Sequence, residues 1–371
     1  MSIIDTIHNA IALCRLRELW WGHFKIEWRK HMDHMDHRAE RVLVTGGGGF
    51  LGKAIVKVLV ARGDKVTSLS RGFYPELDLW KVRQVQGDIA DPRAVKDACE
   101  GMDVVYHVAA RAGVWGAFKD FYRANVLGTE NVIAGCREKG VGRLVYTSSP
   151  SVVFDGNDME GVDESVPYPT HFHAPYPATK AMAEKIVLDA VSSDLSVIIL
   201  RPHLIWGPGD NHLLPGIVSR AKSLRRIGNG TNVVDTIYVD NAAHAHVLAG
   251  DHLKMEASLS GNIYFISQDD PIPLWQMVDH FLEAAGLPPV QGEVPARGAY
   301  WVGGLFELIF KIFPLKGEPP MTRFVARELA TSHWFDISRA KQDLGYVPLV
   351  STEEGLELMT TWLNKRRQGY V

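Results

Sequence analysis

The sequence predicts an α/β fold in which a doubly wound parallel sheet is followed by a smaller C-terminal lobe. From Arg41 onward, short apolar runs alternate with segments of helical periodicity, and after Pro202 this alternation gives way to loops and short helices. Parallel strands need crossover connections, so the alternation predicts helices on both faces of one sheet. We expect an N-terminal extension (1–40), a sheet domain (41–200) and a mixed lobe (201–371) with elements that return to the sheet.

The predicted elements follow one another in the order that such a sheet requires. Predicted strands are short apolar runs, and predicted helices are longer segments with apolar residues three or four positions apart. In the sheet domain, strands are predicted at residues 42–44, 65–69, 104–108, 144–147 and 197–200. Helices are predicted at residues 50–62, 94–100, 122–139 and 176–190. In the lobe, isolated strands are predicted near residues 234–238 and 262–267.

Two apolar segments stand outside this alternation. Residues 299–313 are strongly apolar but, at about 15 residues, too short to cross a bilayer comfortably. The favoured interpretation is a buried helix of the lobe, and the alternative is an exposed patch over a greasy substrate or a lipid surface. Residues 3–28 have the spacing of a short amphipathic helix that docks on the body, a partner or a membrane, and a mobile tail is the alternative.

The composition excludes several classes of protein. Hydrophobic residues make up 46% and charged residues 22% of the chain, which is typical of a globular protein and not of a disordered one. The net charge is -3 and there is no long basic run, so we expect no binding to nucleic acid.

The cysteines and the hydropathy of the chain indicate in which cellular compartment we expect the protein. Cys14, Cys99 and Cys136 lie far apart in the sequence without metal-ligand spacing, so we expect reduced thiols in a cytoplasmic protein. The first residues lack the pattern of a secretory signal. No apolar stretch reaches about 18 residues, so we expect no transmembrane span, and peripheral membrane contact stays open.

A glycine-rich turn follows the first predicted strand and opens the first helix, in the segment TGGGGFLG at residues 45–52. Gly46 permits the tight turn, Gly49 lets the backbone approach a pyrophosphate, and Gly52 lets the helix pack close to the strand. Phe50 and Leu51 begin the helix, whose N-terminus would face anionic phosphates. The turn, in this context, predicts a dinucleotide-binding Rossmann fold.

The next strand ends indicate which dinucleotide binds. An NAD enzyme usually has an acid at the end of the second strand, but here the residues are Ser70 and Arg71, which favours the 2′-phosphate of NADP(H). The alternative is that Arg71 merely ends a strand in solvent. By position alone, we also assign the four residues that follow the third and fourth strands to the cofactor site: Asp88, Ile89, Ala109 and Ala110.

A tyrosine and a lysine one helical turn apart are the candidate catalytic pair. Tyr176 and Lys180 would project from one face of a helix, and the nearby ammonium together with the positive nicotinamide would lower the pKa of the phenol toward neutrality. Upstream, the predicted strand at 144–147 runs into hydroxyls at the carboxyl edge of the sheet. We predict that Ser149 binds the substrate oxygen beside Tyr176, with Ser148 as the second choice.

Together these motifs resemble an extended short-chain dehydrogenase/reductase of the 3β-hydroxysteroid dehydrogenase branch, over about residues 41–365. Three further segments carry the resemblance: NVLGT at 125–129, LRP at 200–202 and YVDN at 238–241. The resemblance implies that Asn125 helps to organise the active site, that Pro202 lies by the nicotinamide, and that the lobe binds the substrate. We also expect a homo-oligomer.

Two segments most resemble the bacterial 2-alkyl-3-oxoalkanoate reductases: RPHLIWGPGDN at 201–211 and GEPPMTRF at 317–324. That resemblance implies NADPH-dependent reduction of a long-chain, apolar 3-oxo acid with two alkyl chains to the 3-hydroxy acid, in olefin biosynthesis. It also implies a partner, the β-lactone synthetase that acts next.

Other interpretations compete with this one. The same resemblance leaves open an NAD(P)-dependent 3β-hydroxysteroid or 4-carboxysterol dehydrogenase. A non-catalytic dinucleotide-binding interaction protein is a third hypothesis, against which the intact Ser149, Tyr176 and Lys180 argue. No nucleophile elbow or P-loop lysine is present, so hydrolysis and phosphoryl transfer lack their key groups. The histidines at 31, 34 and 37 are interpreted as solvated, and we expect no metal.

Overall fold

The computed structural model describes residues 38–313, 315 and 317–368. The expected helix at residues 3–28, the three N-terminal histidines and Cys14 lie outside the described residues. Cys99 and Cys136 are both free and buried in the core.

The strands form one large parallel sheet and several small sheets. In chain order they are β1 (Arg41–Thr45), β2 (Lys65–Ser70), β3 (Arg83–Gln86), β4 (Val104–His107), β5 (Arg143–Thr147), β6 (Met159–Val162), β7 (Ser196–Pro202), β8 (Ile205–Trp206), β9 (Arg226–Ile227), β10 (Val233–Val234), β11 (Ile237–Tyr238), β12 (Ile263–Ile266), β13 (Ile272–Pro273), β14 (Glu293–Val294) and β15 (His333–Phe335). The large sheet has seven strands in the order β12-β7-β5-β4-β1-β2-β3, and every neighbouring pair is parallel.

Helices cover both faces of this sheet. In chain order they are α1 (Phe50–Ala61), α2 (Pro75–Leu79), α3 (Pro92–Cys99), α4 (Phe118–Phe121), α5 (Gly128–Lys139), α6 (Pro175–Asp189), α7 (Leu213–Arg220), α8 (Val239–Met255), α9 (Leu274–Ala284), α10 (Ala296–Ile312), α11 (Arg323–Glu328), α12 (Ser338–Leu344) and α13 (Thr352–Arg367). One core cluster joins α1, α8 and α12 to the sheet, and a second joins α3, α5 and α6 to the opposite face. The predicted doubly wound α/β fold is confirmed.

Two predicted elements differ from the observed ones. The helix predicted at 122–139 is interrupted by a π-helical turn at Tyr122–Leu127, where Thr129 donates a hydrogen bond to the carbonyl of Asn125. The strand predicted at 234–238 is divided into β10 and β11, which pair with different strands. The break lies at Asp235, whose carboxylate accepts a hydrogen bond from the backbone of Phe335.

The apolar segment at 299–313 forms most of α10, and the prediction that this helix is buried is wrong. Only Ala299, Gly303 and Glu307 of this helix are buried. The helix packs on this narrow side, where Gly303 lies so close to the backbone of Thr322 that a Cβ would clash. Several large apolar side chains are exposed, among them Leu305, Leu308 and Trp301, which is 75% exposed. Within the described part of the chain, no helix combines the length and apolarity needed to cross a membrane.

Candidate active site

The glycine-rich turn shapes the first wall of a cavity of about 650 Å³ at the carboxyl edge of the sheet. Gly46 has a φ of +72°, and its N–H donates to the carbonyl of Leu69 at 2.8 Å. A Cβ on Gly52 would overlap the carbonyl of Gly46. Gly49 precedes α1 without a side-chain cap, so the N–H groups of the first turn are available to a phosphate. These features fit a dinucleotide.

Nearly all of the site residues predicted from the sequence line this one cavity. They are Gly46, Gly49, Phe50, Leu51, Gly52, Ser70, Arg71, Asp88, Ile89, Ala109, Ala110, Ser149, Tyr176, Lys180 and Pro202. The exception is Asn125, which is buried behind the cavity wall.

The glycine turn supports a direct test. Gly52→Ala should weaken binding of a nicotinamide dinucleotide by about tenfold or more, because the added methyl group forces the turn open. The measurement is fluorescence titration with NADPH and with NADH. Gly142→Ala is the matched control, since nothing lies within 4 Å of a Cβ there. Equal NADPH affinities for the two variants would contradict the role of the turn in binding.

The polar side chains at the ends of β2 and β3 differ in their hydrogen-bond and ion-pair partners. The hydroxyl of Ser70 accepts a hydrogen bond from the N–H of Gly48 at 3.3 Å, so it supports the glycine turn. Arg71 is exposed at the cavity rim and has no ion-pair partner among the described residues. Asp88 is paired with Arg123 at 2.9 Å, which balances its charge beside the cavity.

Lys180 lies one turn after Tyr176 on α6, but its ammonium is held by other groups. It donates to the hydroxyl of Tyr146 and to the carbonyl of Thr147, both at 2.6 Å, and lies 4.1 Å from the centre of the Tyr146 ring. Burial lowers the pKa of Lys180 to about 7, opposed by the charge of Glu184. Since an ammonium has three donors, one remains for a ligand in the cavity that it lines.

Lys180 is not among the protein groups that shift the pKa of Tyr176, and the effect of a bound nicotinamide stays a prediction. Burial raises the pKa of the Tyr176 phenol above its ordinary value of 10.0, a hydrogen bond with Ser149 lowers it, and the charge of Glu328 raises it. Tyr176 is therefore protonated at neutral pH. A protonated phenol donates a proton, which suits reduction of a carbonyl.

Ser149 and Asn125 fix the surroundings of Tyr176 in different ways. The Ser149 hydroxyl lies 2.9 Å from that of Ser151 at the start of a 3₁₀ turn. The Asn125 amide donates to the hydroxyl of Thr179 at 3.0 Å, and its oxygen accepts from the N–H of Arg111 at 2.7 Å. Asn125 thus ties the loop after β4 to the helix that carries Tyr176, which is a positioning role.

A buried ion pair under the same helix was not predicted from the sequence. Glu184, one turn after Lys180, binds Arg201 through contacts of 2.5 and 3.1 Å and accepts a hydrogen bond from Tyr168 at 2.6 Å. Both charged side chains are almost fully buried. The pair joins α6 to the end of β7, directly before Pro202, which also lines the cavity.

A second cavity, of about 420 Å³, lies beside the first. Pro175 lines the second cavity and the adjacent Tyr176 lines the first, so the two meet at the start of α6. Its apolar walls include Val114, Trp115 and Phe324. Its polar lining comprises His173, Glu307, Lys311, Thr322 and Arg323. The imidazole of His173 is hydrogen-bonded to the guanidinium of Arg327 at 2.9 Å.

Comparison with known families decides the assignment. The profile of the 3-beta hydroxysteroid dehydrogenase/isomerase family matches residues 43–294, which is more than half of the chain. The chain belongs to this family. The resemblance predicted from the motifs is confirmed.

The names of similar proteins agree on the reaction type. The 2-alkyl-3-oxoalkanoate reductase of Stenotrophomonas maltophilia is 49% identical over 85% of this chain and 97% of its own length. That of Shewanella oneidensis is 47% identical over 88% of this chain and 87% of its own. A mouse protein named sterol-4-alpha-carboxylate 3-dehydrogenase, decarboxylating, is 33% identical over 88% of this chain and 92% of its own length. This family member is therefore an oxidoreductase acting on a CH–OH or C=O group.

Solved structures of similar fold are also found. MoeE5 in complex with UDP-glucose and NAD matches 88% of this chain and 99% of its own with a TM-score of 0.69 and 25% identity. DesIV, a dTDP-glucose 4,6-dehydratase from Streptomyces venezuelae, matches with a TM-score of 0.68 at 24% identity, over 89% of this chain and 98% of its own. The second likeness shows the fold alone.

Proposed function

We propose that this enzyme reduces the 3-oxo group of a long-chain 2-alkyl-3-oxoalkanoic acid with NADPH, giving the 2-alkyl-3-hydroxyalkanoic acid of olefin hydrocarbon biosynthesis. The observation that carries the proposal is the 49% identity to a reductase of that name over nearly its whole length. On this proposal, the β-lactone synthetase that consumes the hydroxy acid is the partner enzyme. We also propose that the enzyme forms a homo-oligomer.

The names of the relatives share one chemical feature. A 2-alkyl-3-oxoalkanoate and a sterol 4-carboxylate oxidised at C3 both have a carboxylate on the carbon next to the reacting carbon. We therefore take a 3-oxo or 3-hydroxy acid as the substrate class. The second cavity combines apolar walls with the ammonium of Lys311, which supports a substrate that is both apolar and anionic.

The chain's own residues suit the proton side of this reaction. The chemistry that a bound NADPH supplies is hydride donation to the carbonyl carbon. Tyr176 gives its phenolic proton to the carbonyl oxygen, and Ser149 orients that oxygen by a hydrogen bond. Lys180 holds the end of β5 and offers its third donor to the ribose. The carbonyl gains one hydride and one proton, and the carboxylate is retained.

The cofactor preference rests on Arg71 and is tested by reversing its charge. Arg71→Asp should lower the ratio of kcat/KM for NADPH over NADH by about 10- to 100-fold, as expected for a lost charge-assisted hydrogen bond of about 1.5–3 kcal/mol. Arg93→Asp is the control, because Arg93 is exposed and does not line the cavity. An unchanged ratio in Arg71→Asp would remove Arg71 from the 2′-phosphate site.

The substrate is tested by competing assays on the purified protein. NADPH consumption with a 2-alkyl-3-oxoalkanoic acid is compared with NAD(P) reduction on a 3β-hydroxysteroid and on a 4-carboxysterol. The proposal predicts NADPH consumption and, by mass spectrometry, a hydroxy acid that keeps its carboxylate. Sterol oxidation alone would replace the proposal with the dehydrogenase hypothesis, and no turnover of any substrate would favour the interaction protein.

A further inference from the structure

The outer face of α10 is a continuous apolar stripe without a partner in the described part of the chain. Trp301, Leu305, Leu308 and Ile312 follow the i, i+4, i+7, i+11 spacing that places side chains on one side of a helix, and all four are exposed. The apolar surface continues past the helix end into two further exposed residues, Phe313 and Leu315. A patch of this size on a folded protein marks a surface for another partner.

The charged groups of α10 indicate what kind of surface this partner has. Arg297 and Lys311 are both exposed, one near each end of the helix. The helix has a single carboxylate, Glu307, which is buried and bound to Arg323 at 2.7 Å. The exposed part of α10 is therefore apolar and cationic with no anionic group. This combination is complementary to an anionic lipid surface, where cations reach headgroups and apolar side chains enter the acyl boundary.

The inner face of the same helix shows why contact with a membrane would matter. Glu307 and Lys311 line the second cavity, and the ring of Phe310 lies edge-on to that of Trp115, 6.2 Å away, on the loop that forms the opposite wall. One helix thus separates this cavity from the exposed stripe. A lipid surface bound by the stripe would lie directly outside the cavity.

We propose that the Trp301–Leu305–Leu308–Ile312 face of α10 lies in the interface of an anionic lipid bilayer and holds the enzyme there as a peripheral protein. The occupant is the bilayer, bound by apolar insertion together with attraction of Arg297 to its headgroups. The proposal does not depend on which substrate the enzyme reduces, and its test requires no substrate.

The test is sedimentation of the full-length purified chain with vesicles of phosphatidylcholine alone and of phosphatidylcholine with phosphatidylglycerol. The chain should sediment with the anionic vesicles, and Leu308→Glu should lower its partition coefficient by about tenfold or more. Met255→Glu is the matched control, because Met255 and Leu308 are each 54% exposed near helix ends and Met255 lies outside this face. Met255→Glu should bind like the unaltered chain.

A charge variant keeps the proposal testable if Leu308→Glu is poorly folded. Arg297→Glu should lower binding to anionic vesicles and leave binding to phosphatidylcholine alone unchanged, since only the headgroup attraction is lost. Failure of the unaltered chain to bind anionic vesicles, or equal binding by Leu308→Glu and Met255→Glu, would overturn the proposal. A lower mass of Leu308→Glu in light scattering, with vesicle binding unchanged, would instead assign the face to a second copy of the chain.

Discussion

Tyr176→Phe should lower kcat for carbonyl reduction by about 10²- to 10⁴-fold while leaving NADPH affinity nearly unchanged. The phenol is the proton donor in the proposed reaction, and its pKa, raised above 10.0, leaves it protonated at neutral pH. The ring of phenylalanine fills the same space beside the cavity, so the loss is confined to the hydroxyl. The measurement is the initial rate of NADPH consumption together with a separate NADPH titration.

A tyrosine outside the site provides the control for this experiment. The Tyr264 hydroxyl donates to Asp343 on α12, and Tyr264 lines neither cavity. Tyr264→Phe should keep its kcat. If Tyr176→Phe retains most of its kcat as well, Tyr176 is not the proton donor and the proposed mechanism is wrong.

Glu184→Ala should lower the free energy of unfolding by about 3–5 kcal/mol, because it leaves the buried guanidinium of Arg201 without its carboxylate. The Lys180 ammonium also loses the charge that raises its pKa, so activity should fall together with stability. The measurement is denaturant unfolding followed by circular dichroism, with kcat measured on the folded fraction.

An exposed ion pair on the same sheet face gives the matched control. Lys96 and Glu138 are about half exposed and 2.5 Å apart, and Glu138→Ala should cost at most about 1 kcal/mol. Similar losses of unfolding free energy for Glu184→Ala and Glu138→Ala would show that the buried pair does not hold α6 to β7.

Local sequence patterns were sufficient to predict the parallel sheet and the walls of the first cavity. The glycine turn and the hydroxyl run at 147–149 follow apolar strands directly, so the rule that ligands bind at the carboxyl ends of parallel strands places them together. The spacing of Tyr176 and Lys180 predicts a shared helix face because residues four apart lie on one side of a helix.

What could not be predicted depends on contacts between distant segments. Lys180 is held by Tyr146 and Thr147, 34 and 33 positions away in the sequence, and the direction of its ammonium is not readable from the Tyr/Lys spacing. Burial of Tyr176, which decides the direction of its pKa shift, is likewise a property of the packed structure. Helix α10 packs on the rest of the chain at Gly303, so several of its large apolar residues face outward. The apolar residues of 299–313 predict a buried helix and give no sign that a glycine makes the contact.

The most direct test of proton donation by Tyr176 is the pH dependence of kcat for reduction, measured beside oxidation of the hydroxy acid. Reduction needs the protonated phenol and oxidation needs the phenolate, and the pKa of Tyr176 is raised. Reduction should therefore be fast at neutral pH and fall as the pH rises through that pKa, while oxidation rises over the same range. Tyr176→Phe should lack this alkaline decline. Persistence of this alkaline decline in Tyr176→Phe would assign it to another group and contradict proton donation by Tyr176.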